Sequence, residues 1–123
     1  MKKIILDTNI WMAISEFKLD LFTELNNCCD FKYKLFVLKR TIAELEKIQQ
    51  EQRGKFKRAA ALALSLIKAK RINIIPGEGN VDDLLTAFSK QGYLILTQDI
   101  GLKNRLTKPY LTIRQKKRIM IIS

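Results

Sequence analysis

Five short apolar runs recur along the chain, and each is continuous rather than alternating with polar residues. They lie at positions 4–6, 35–38, 72–75, 93–96 and 111–113. Continuous runs of this length are typical of strands that are covered on both faces, as in a parallel sheet. The end of the chain, 119–122, is also apolar, and the sequence leaves open whether it forms an edge strand or binds a partner.

Segments with helical spacing of apolar residues separate these runs. They cover positions 10–16, 19–26, 42–52, 55–70, 81–91 and 100–106. In the longest of them, Phe56, Ala60, Ala63 and Ile67 fall on one stripe, which indicates an amphipathic helix packed on a sheet. Because strands and helices alternate, the pattern predicts βαβ units and an α/β fold with a parallel sheet.

Length and composition limit the class of protein. At 123 residues the chain is long enough for one domain with its own core, so we expect a single domain over residues 1–123. No apolar run approaches the roughly 18 residues that a membrane span needs, and the run at 4–6 is too short for a signal peptide. We therefore expect a cytoplasmic protein without a membrane contact. The adjacent Cys28 and Cys29 are expected to be free thiols, because a disulfide between neighbours is geometrically awkward.

Basic residues outnumber acidic ones by 23 to 12, which gives a formal net charge of +11. An excess this large on a small domain indicates a polyanionic partner, with nucleic acid ahead of a membrane surface. For any single basic residue, a solvated surface position is the simpler explanation. The candidate contacts to a phosphate backbone are Lys39, Arg40, Arg53, Lys55, Lys57, Arg58, Lys103, Arg105, Arg114, Lys116, Lys117 and Arg118.

Four acidic side chains follow predicted strands. Asp7 comes directly after the first strand, Asp99 follows the strand at 93–96, and Glu44 and Asp82 lie near the starts of the helices after two other strands. Carboxyl ends of parallel strands meet at one edge of the sheet, where open α/β folds bind their ligands. Glu44 can reach back to that edge, because helical side chains lean towards the helix N-terminus.

Each acid also has a structural explanation that needs no site. Asp7 and Asp99 can cap the helices that follow them, Thr41 and Glu44 have the spacing of a capping box, and an acid at position 82 suits a helix start. These explanations do not say why all four acids fall on the same edge.

The chemistry of such a cluster requires cations. Two carboxylates about 4 Å apart repel by roughly 4 kcal/mol at an effective dielectric constant of 20. The chain has no histidine, so neither a histidine base nor a histidine ligand is available. Oxygen ligands alone are what Mg²⁺ or Mn²⁺ prefers, and one or two such ions can activate water and clamp a phosphate. The cluster therefore predicts hydrolysis of phosphodiester bonds.

These motifs resemble a known family, the PIN-domain nucleases, named from the N-terminal domain of PilT. The matching pieces, in the order of the family, are Asp7-Thr8-Asn9 after a strand, the helix start at 41–46, Asp82-Asp83 before Leu84-Leu85, and Thr97-Gln98-Asp99 closing a strand. The resemblance implies a three-layer α/β/α sandwich with a mostly parallel central sheet of about five strands. It also implies Mg²⁺ or Mn²⁺ as cofactor and single-stranded or exposed RNA as substrate.

The resemblance assigns roles to particular residues. The catalytic and metal-ligating acids by position are Asp7, Glu44, Asp82 and Asp99. The supporting polar residues are Asn9, Asp83 and Thr97. Either Asp82 or Asp83 can be the ligand in this register, and Asp82 is preferred because Leu85 and Ala87 then fall where the family's helix packs.

Several functional branches remain open within this resemblance. The doubled acid at 82–83 and the basic tail resemble the branch that processes small-subunit ribosomal RNA, although Gly101 replaces a charged residue common there. VapC-type toxin ribonucleases share the same acids, and a catalytically silent PIN-like module that binds RNA or ribosome-assembly factors is a third reading. The implied partners are RNA, including ribosomal precursor RNA, and an antitoxin-like protein, a ribosome-assembly factor or a second copy of the chain. A response-regulator receiver is disfavoured, because its paired acids would follow the first strand.

Overall fold

The computed structural model describes all residues 1–123. Its strands are β1 (Lys2–Leu6), β2 (Tyr33–Leu38), β3 (Asn73–Ile75), β4 (Leu94–Leu96), β5 (Tyr110–Arg114) and β6 (Arg118–Ile122). Its helices are α1 (Thr8–Glu16), α2 (Leu21–Cys28), α3 (Lys39–Glu51), α4 (Gly54–Ala69), α5 (Val81–Lys90) and α6 (Ile100–Lys103). All the predicted strands and helices are present, with ends that differ by a few residues.

The six strands form one sheet in the order β3-β2-β1-β4-β5-β6. Every neighbouring pair is parallel except β5 and β6, which are antiparallel. The mostly parallel α/β sandwich is therefore confirmed. The apolar end of the chain, which the sequence left undecided, forms the edge strand β6 and pairs with β5 along its whole length.

The strand order reverses beside β1. The chain builds β2 and β3 on one side of β1, then crosses to build β4, β5 and β6 on the other. Such a switch point opens a crevice beyond the carboxyl ends of the two strands that flank it. Here Leu6 of β1 pairs with Leu96 of β4, and the backbone N–H of Asp7 donates to the carbonyl of Leu96 at 3.0 Å. Asp7 and the residues that follow β4 therefore share this crevice.

Alternate strand residues build two separate cores. Ile4 and Leu6 face the core that contains residues of α1, α2, α3 and α4, whereas Ile5 faces a smaller core with Leu85 of α5 and Leu102 of α6. Burial on both faces is the reason that the strand sequences are continuously apolar. The strands are thus held rigidly from both sides, which fixes the position of the side chains at their tips.

Two expectations from composition can be compared with the structure. No helix combines the length and the apolar character that a membrane span requires. Cys28 and Cys29 are free thiols, as predicted. Burial raises the pKa of the Cys29 thiol to about 12, so this side chain stays neutral within the core.

Candidate active site

Asp7 is a buried acid at the tip of β1. Its side chain is only 6% exposed, and its two oxygens accept hydrogen bonds at 2.8 Å from the Thr8 N–H and from the Thr97 hydroxyl. Burial is the main reason that the pKa of Asp7 is raised, and these two hydrogen bonds act against it. The charges of Asp82 and Glu44 raise the pKa further, so both acids lie near Asp7.

The capping geometry of Asp7 is irregular. Asp20, Asn80 and Asp99 each accept the N–H three residues ahead, as helix caps normally do. Asp7 instead accepts the N–H of the adjacent Thr8, and its second oxygen turns towards Thr97 on a neighbouring strand. A helix cap therefore does not explain the side-chain orientation of Asp7.

The hydroxyl of Thr97 links the tips of β1 and β4. Thr97 is fully buried and donates to Asp7 Oδ2. The Thr97 hydroxyl oxygen in turn accepts the Asp99 N–H at 3.1 Å and the Asn9 amide at 3.5 Å, while Asn9 Oδ1 accepts the Gln98 N–H at 3.3 Å. Because Thr97 receives two donors, its own proton is directed at Asp7. Thr97 therefore bonds directly to Asp7 and Asn9 bonds to Thr97, while their supporting role in a reaction stays a prediction.

Glu44 reaches the crevice from α3. Its Oε1 accepts the hydroxyl of Thr8 at 3.3 Å, and Thr8 also lies 3.4 Å from the buried hydroxyl of Thr41. The capping-box explanation of Thr41 and Glu44 is wrong, because α3 begins at Lys39 and its cap position, Leu38, makes no side-chain hydrogen bond. Glu44 is therefore a mid-helix acid turned towards the crevice rather than a helix cap.

The two acids at the start of α5 occupy different surroundings. Asp82 is half-buried, and its charge acts on Asp7. Asp83 is exposed and forms an ion pair with Arg105 at 2.6 Å, the only ion pair in the structure. Asp82 is thus the less exposed of the two acids and the one whose charge raises the pKa of Asp7, and its role as the ligand stays a prediction.

Asp99 lies at the rim rather than beside Asp7. Its side chain is exposed, and its Oδ1 caps α6 by accepting the Leu102 N–H at 3.1 Å. The Asp99 N–H is linked to Asp7 through the Thr97 hydroxyl, but the Asp99 carboxylate is not among the charges that raise the pKa of Asp7. The bond to Leu102 leaves Asp99 Oδ2 free of hydrogen bonds within the protein. We define the acidic cleft as Asp7, Glu44 and Asp82, with Asp99 at its rim.

The acidic cleft offers carboxylate oxygens, the type of ligand that a hard cation such as Mg²⁺ or Mn²⁺ prefers. Of its three carboxylates, those of Asp82 and Glu44 help to raise the pKa of Asp7, and no lysine or arginine forms an ion pair with any of the three. In the arrangement seen here, no group of three or more acidic or thiol side chains is close enough to bind one ion. The acids that would hold an ion therefore lie near one another but too far apart to coordinate it together in this arrangement. The metal-binding role of all four acids stays a prediction.

The predicted RNA contacts are exposed, apart from the half-buried Lys103. Lys39 and Arg40 open α3 directly after β2, at the same sheet edge as Asp7. Arg53 precedes α4, and Lys55 lies in its first turn. Arg105 is occupied by Asp83. The remaining candidates, Lys57 and Arg58 in α4 and Arg114, Lys116, Lys117 and Arg118 around the turn between β5 and β6, carry no ion pair.

Sequence reasoning missed two residues of this network. Thr8 bridges towards Glu44, and Thr41 lies fully buried beside it. The signal for Thr8 was its place between Asp7 and Asn9, two residues already singled out. Thr41 was interpreted as a cap, because its spacing to Glu44 fits a capping box equally well.

Comparison with known proteins relates this arrangement to one family and several relatives. Residues 4–116 match the family model described as a PIN-like domain. Ribonuclease VapC4 of Methanocaldococcus jannaschii is 27% identical to this chain, and the alignment covers 95% of this chain and 94% of the relative. Ribonuclease VapC9 of Archaeoglobus fulgidus is 29% identical over 95% of this chain and 87% of the relative.

Solved structures show the same architecture. The PIN domain endonuclease Utp24 superposes with a TM-score of 0.76 and 26% sequence identity, over 97% of this chain and 90% of its own. VapBC-1 from nontypeable Haemophilus influenzae superposes with a TM-score of 0.52 and 17% identity, over 84% of this chain and 91% of its own. At that identity the second likeness concerns the fold alone.

Proposed function

The chain belongs to the PIN-like domain family, and on that premise we propose that it is a metal-dependent endoribonuclease. The observation that carries the proposal is the buried Asp7 carboxylate, which has acids rather than cations for neighbours. Burying a charge in this way costs stability, and such costs persist where function requires them. The names of the relatives, two ribonucleases and an endonuclease, support the same reaction class.

The side chains of the cleft have distinct tasks in this proposal. Asp7, Glu44 and Asp82, with Asp99 at the rim, would hold Mg²⁺ or Mn²⁺. When bound, such an ion activates water and stabilises the negative charge that develops on phosphate oxygens. Thr97 and Asn9 keep Asp7 oriented, because the Thr97 proton is committed to Asp7 and Asn9 is tied to the Gln98 backbone. Thr8 restrains Glu44 on the opposite side of the cleft.

We consider two cellular roles for the protein, and a specific observation favours each. The two ribonuclease relatives carry the VapC name, which favours a toxin ribonuclease with an antitoxin partner. The doubled acid at 82–83 and the basic tail, which resemble the branch that processes small-subunit ribosomal RNA, favour processing of ribosomal precursor RNA. Induced expression separates them, since a toxin arrests growth only while Asp7 is intact and its antitoxin is absent. An rRNA-processing enzyme leaves growth unchanged and shortens a ribosomal precursor.

Cleavage of end-labelled RNA with a structured junction tests the nuclease proposal. The RNA is incubated with the wild type and with Asp7→Asn and Asp99→Asn, in Mn²⁺, in Mg²⁺ and in EDTA. We expect metal-dependent cuts that both variants lose. The Asp99→Asn change is informative because asparagine caps a helix as well as aspartate, so it removes a charge and keeps the cap.

Two results would contradict the proposal. Cleavage that persists in EDTA would exclude a metal-dependent reaction, and full cleavage by Asp7→Asn would exclude Asp7 as a participant. A wild type that binds RNA in every buffer but never cuts it would instead identify a silent RNA-binding module.

A further inference from the structure

The turn between β5 and β6 extends beyond the sheet edge that carries the acidic cleft. Leu6, Leu96 and Leu111 lie at the same level on β1, β4 and β5. Arg114 is three residues beyond Leu111, so the turn projects past the tip of β1. Since neighbouring strands are 4.7–4.9 Å apart, β5 lies about 10 Å to one side of β1. We call residues 114–118 the basic hairpin.

The cations of the basic hairpin form no ion pair within the protein, and two acids nearby, Glu16 and Glu24, line neighbouring grooves. A surface groove of about 430 Å³ is lined by Arg114, Gln115, Lys117, Arg118 and Met120, and no acid lines it. Arg114 stands directly opposite Arg118 across the two strands, an arrangement of like charges that destabilises a sheet. An anion in the groove would remove this repulsion.

Lys103 of α6 adds a further cation on the same side. Arg114, Arg118 and Met120 alternate with Ile113 and Ile119, which face the larger core, so they point to the face that carries α5 and α6. Burial lowers the pKa of Lys103, and the nearby charge of Arg114 lowers it further. Arg105, in contrast, is already paired with Asp83.

The turn itself has a strained backbone. Gln115 and Lys116 both have positive φ, at 54° and 58°, where glycine or asparagine would be favoured. The Lys116 ammonium lies 5.5 Å from the centre of the Phe17 ring, which ties the tip of the turn to the end of α1. Strain of this kind in a charged turn is typical of segments kept for binding.

We propose that the basic hairpin together with Lys103 binds the backbone phosphates of the single-stranded RNA whose scissile bond lies in the acidic cleft. This inference rests on the proposed function, and it adds the side of the cleft along which the strand runs. Arginine forks and lysine ammonium groups contact phosphate without reading bases, so the site is independent of sequence. It would hold phosphates on the β5 side of the cleft, two strands to one side of β1.

A binding experiment with a matched charge control tests the site. The variant K116Q/K117Q/R118Q removes three exposed cations of the hairpin. The control K2Q/K32Q/K34Q removes three exposed lysines at or beside the starts of β1 and β2, at the opposite edge of the sheet. Anisotropy of fluorescein-labelled, unstructured single-stranded RNA is measured in EDTA over a series of salt concentrations, so that no cleavage occurs.

We expect the hairpin variant to bind RNA about tenfold more weakly or worse. The slope of the logarithm of its association constant against the logarithm of the salt concentration should be less steep by about 2, because each of the three lost phosphate contacts to a single strand accounts for about 0.7 of that slope. The control should keep the slope of the wild type. Equal losses in the two triple variants, or no loss in the hairpin variant, would overturn the site. Because the assay needs no cleavage, the two proposals fail in different ways: a wild type that binds steeply but never cuts would refute the nuclease proposal and leave the hairpin as an RNA-binding site only, whereas a hairpin variant that binds like the wild type would refute the site alone.

Discussion

Asp7 and Asp99 follow neighbouring parallel strands, and in sequence they are equivalent: each is an aspartate after an apolar run and before a helix. In the structure they differ. Asp99 is exposed and caps α6 in the ordinary way through Leu102. Asp7 is buried, does not form a regular cap, and has other acids near it.

The difference shows which of the two acids lowers the stability of the fold. A regular cap stabilises its helix by about 1 kcal/mol, so the presence of Asp99 has a structural explanation even without catalysis. A buried carboxylate with no cation partner destabilises the fold, so the presence of Asp7 needs a functional explanation. The acidic cleft is therefore centred on Asp7, with Asp99 contributing from the rim.

The largest effect on activity is expected at the start of α5, where Asp82 and Asp83 differ in exposure much as Asp7 and Asp99 do. Asp82→Asn should lower kcat by more than the 10- to 100-fold typical of changes outside the first ligand shell, because its charge acts on Asp7. Asp83→Asn breaks only an exposed pair with Arg105, which should cost less than about 1 kcal/mol of stability and little activity. Single-turnover RNA cleavage measures both variants. The opposite ranking would make Asp83 the ligand.

A smaller effect is expected for the residue that orients Asp7. Thr97→Val removes the hydroxyl bonded to Asp7 and should lower kcat about 10- to 100-fold with little change in KM. Thr112→Val is the matched control, since Thr112 is equally buried but its hydroxyl has no hydrogen-bond partner. That control should be neutral or slightly stabilising. Equal losses of activity in both variants would mean that Thr97 acts only through packing.

The smallest effect concerns the cap at the rim. Asp99→Ala should lower the unfolding free energy by about 1 kcal/mol, because the Leu102 N–H loses its acceptor. Asp99→Asn should leave the stability unchanged, and urea unfolding of the two variants measures the difference. If both changes leave stability untouched, the cap does not stabilise the fold, and Asp99 too would need a functional explanation.

Much of the fold could be predicted from local pattern. Continuous apolar runs identified the parallel strands, because burial on both faces requires them, and helical spacing identified the elements between. The end at 119–122 stayed ambiguous, because an apolar segment suits an edge strand and a partner surface alike. Its pairing with β5 depends on a chain reversal through Gln115 and Lys116, which lack the glycine or asparagine that would signal such a turn.

The candidate site could be predicted only in outline. The shared sheet edge placed the four acids together, but burial, which distinguishes Asp7 from Asp99, depends on packing from several elements. The pairing of Asp83 with Arg105, 22 residues apart, likewise has no local signal. The start of α3 also could not be predicted: the helix begins at Lys39, two residues before the apparent capping box, so Thr41 lies within the helix and does not cap it.

The most direct test of the acidic cleft is thermal unfolding of the wild type and Asp7→Asn, with and without Mn²⁺. Because the pKa of Asp7 is raised in the folded state, protonation of Asp7 stabilises the fold. This stabilisation is complete below the ordinary carboxyl pKa and is lost as the pH rises through the raised value. At neutral pH in EDTA, Asp7→Asn should therefore unfold at a higher temperature, by about 4 °C for a gain of about 1 kcal/mol.

Saturating Mn²⁺ should reverse that order. At about one hundred times the dissociation constant, the ion stabilises the wild type by about 2.7 kcal/mol and leaves Asp7→Asn where it was in EDTA. Equal shifts in the two proteins, or no shift in either, would contradict a metal site built around Asp7.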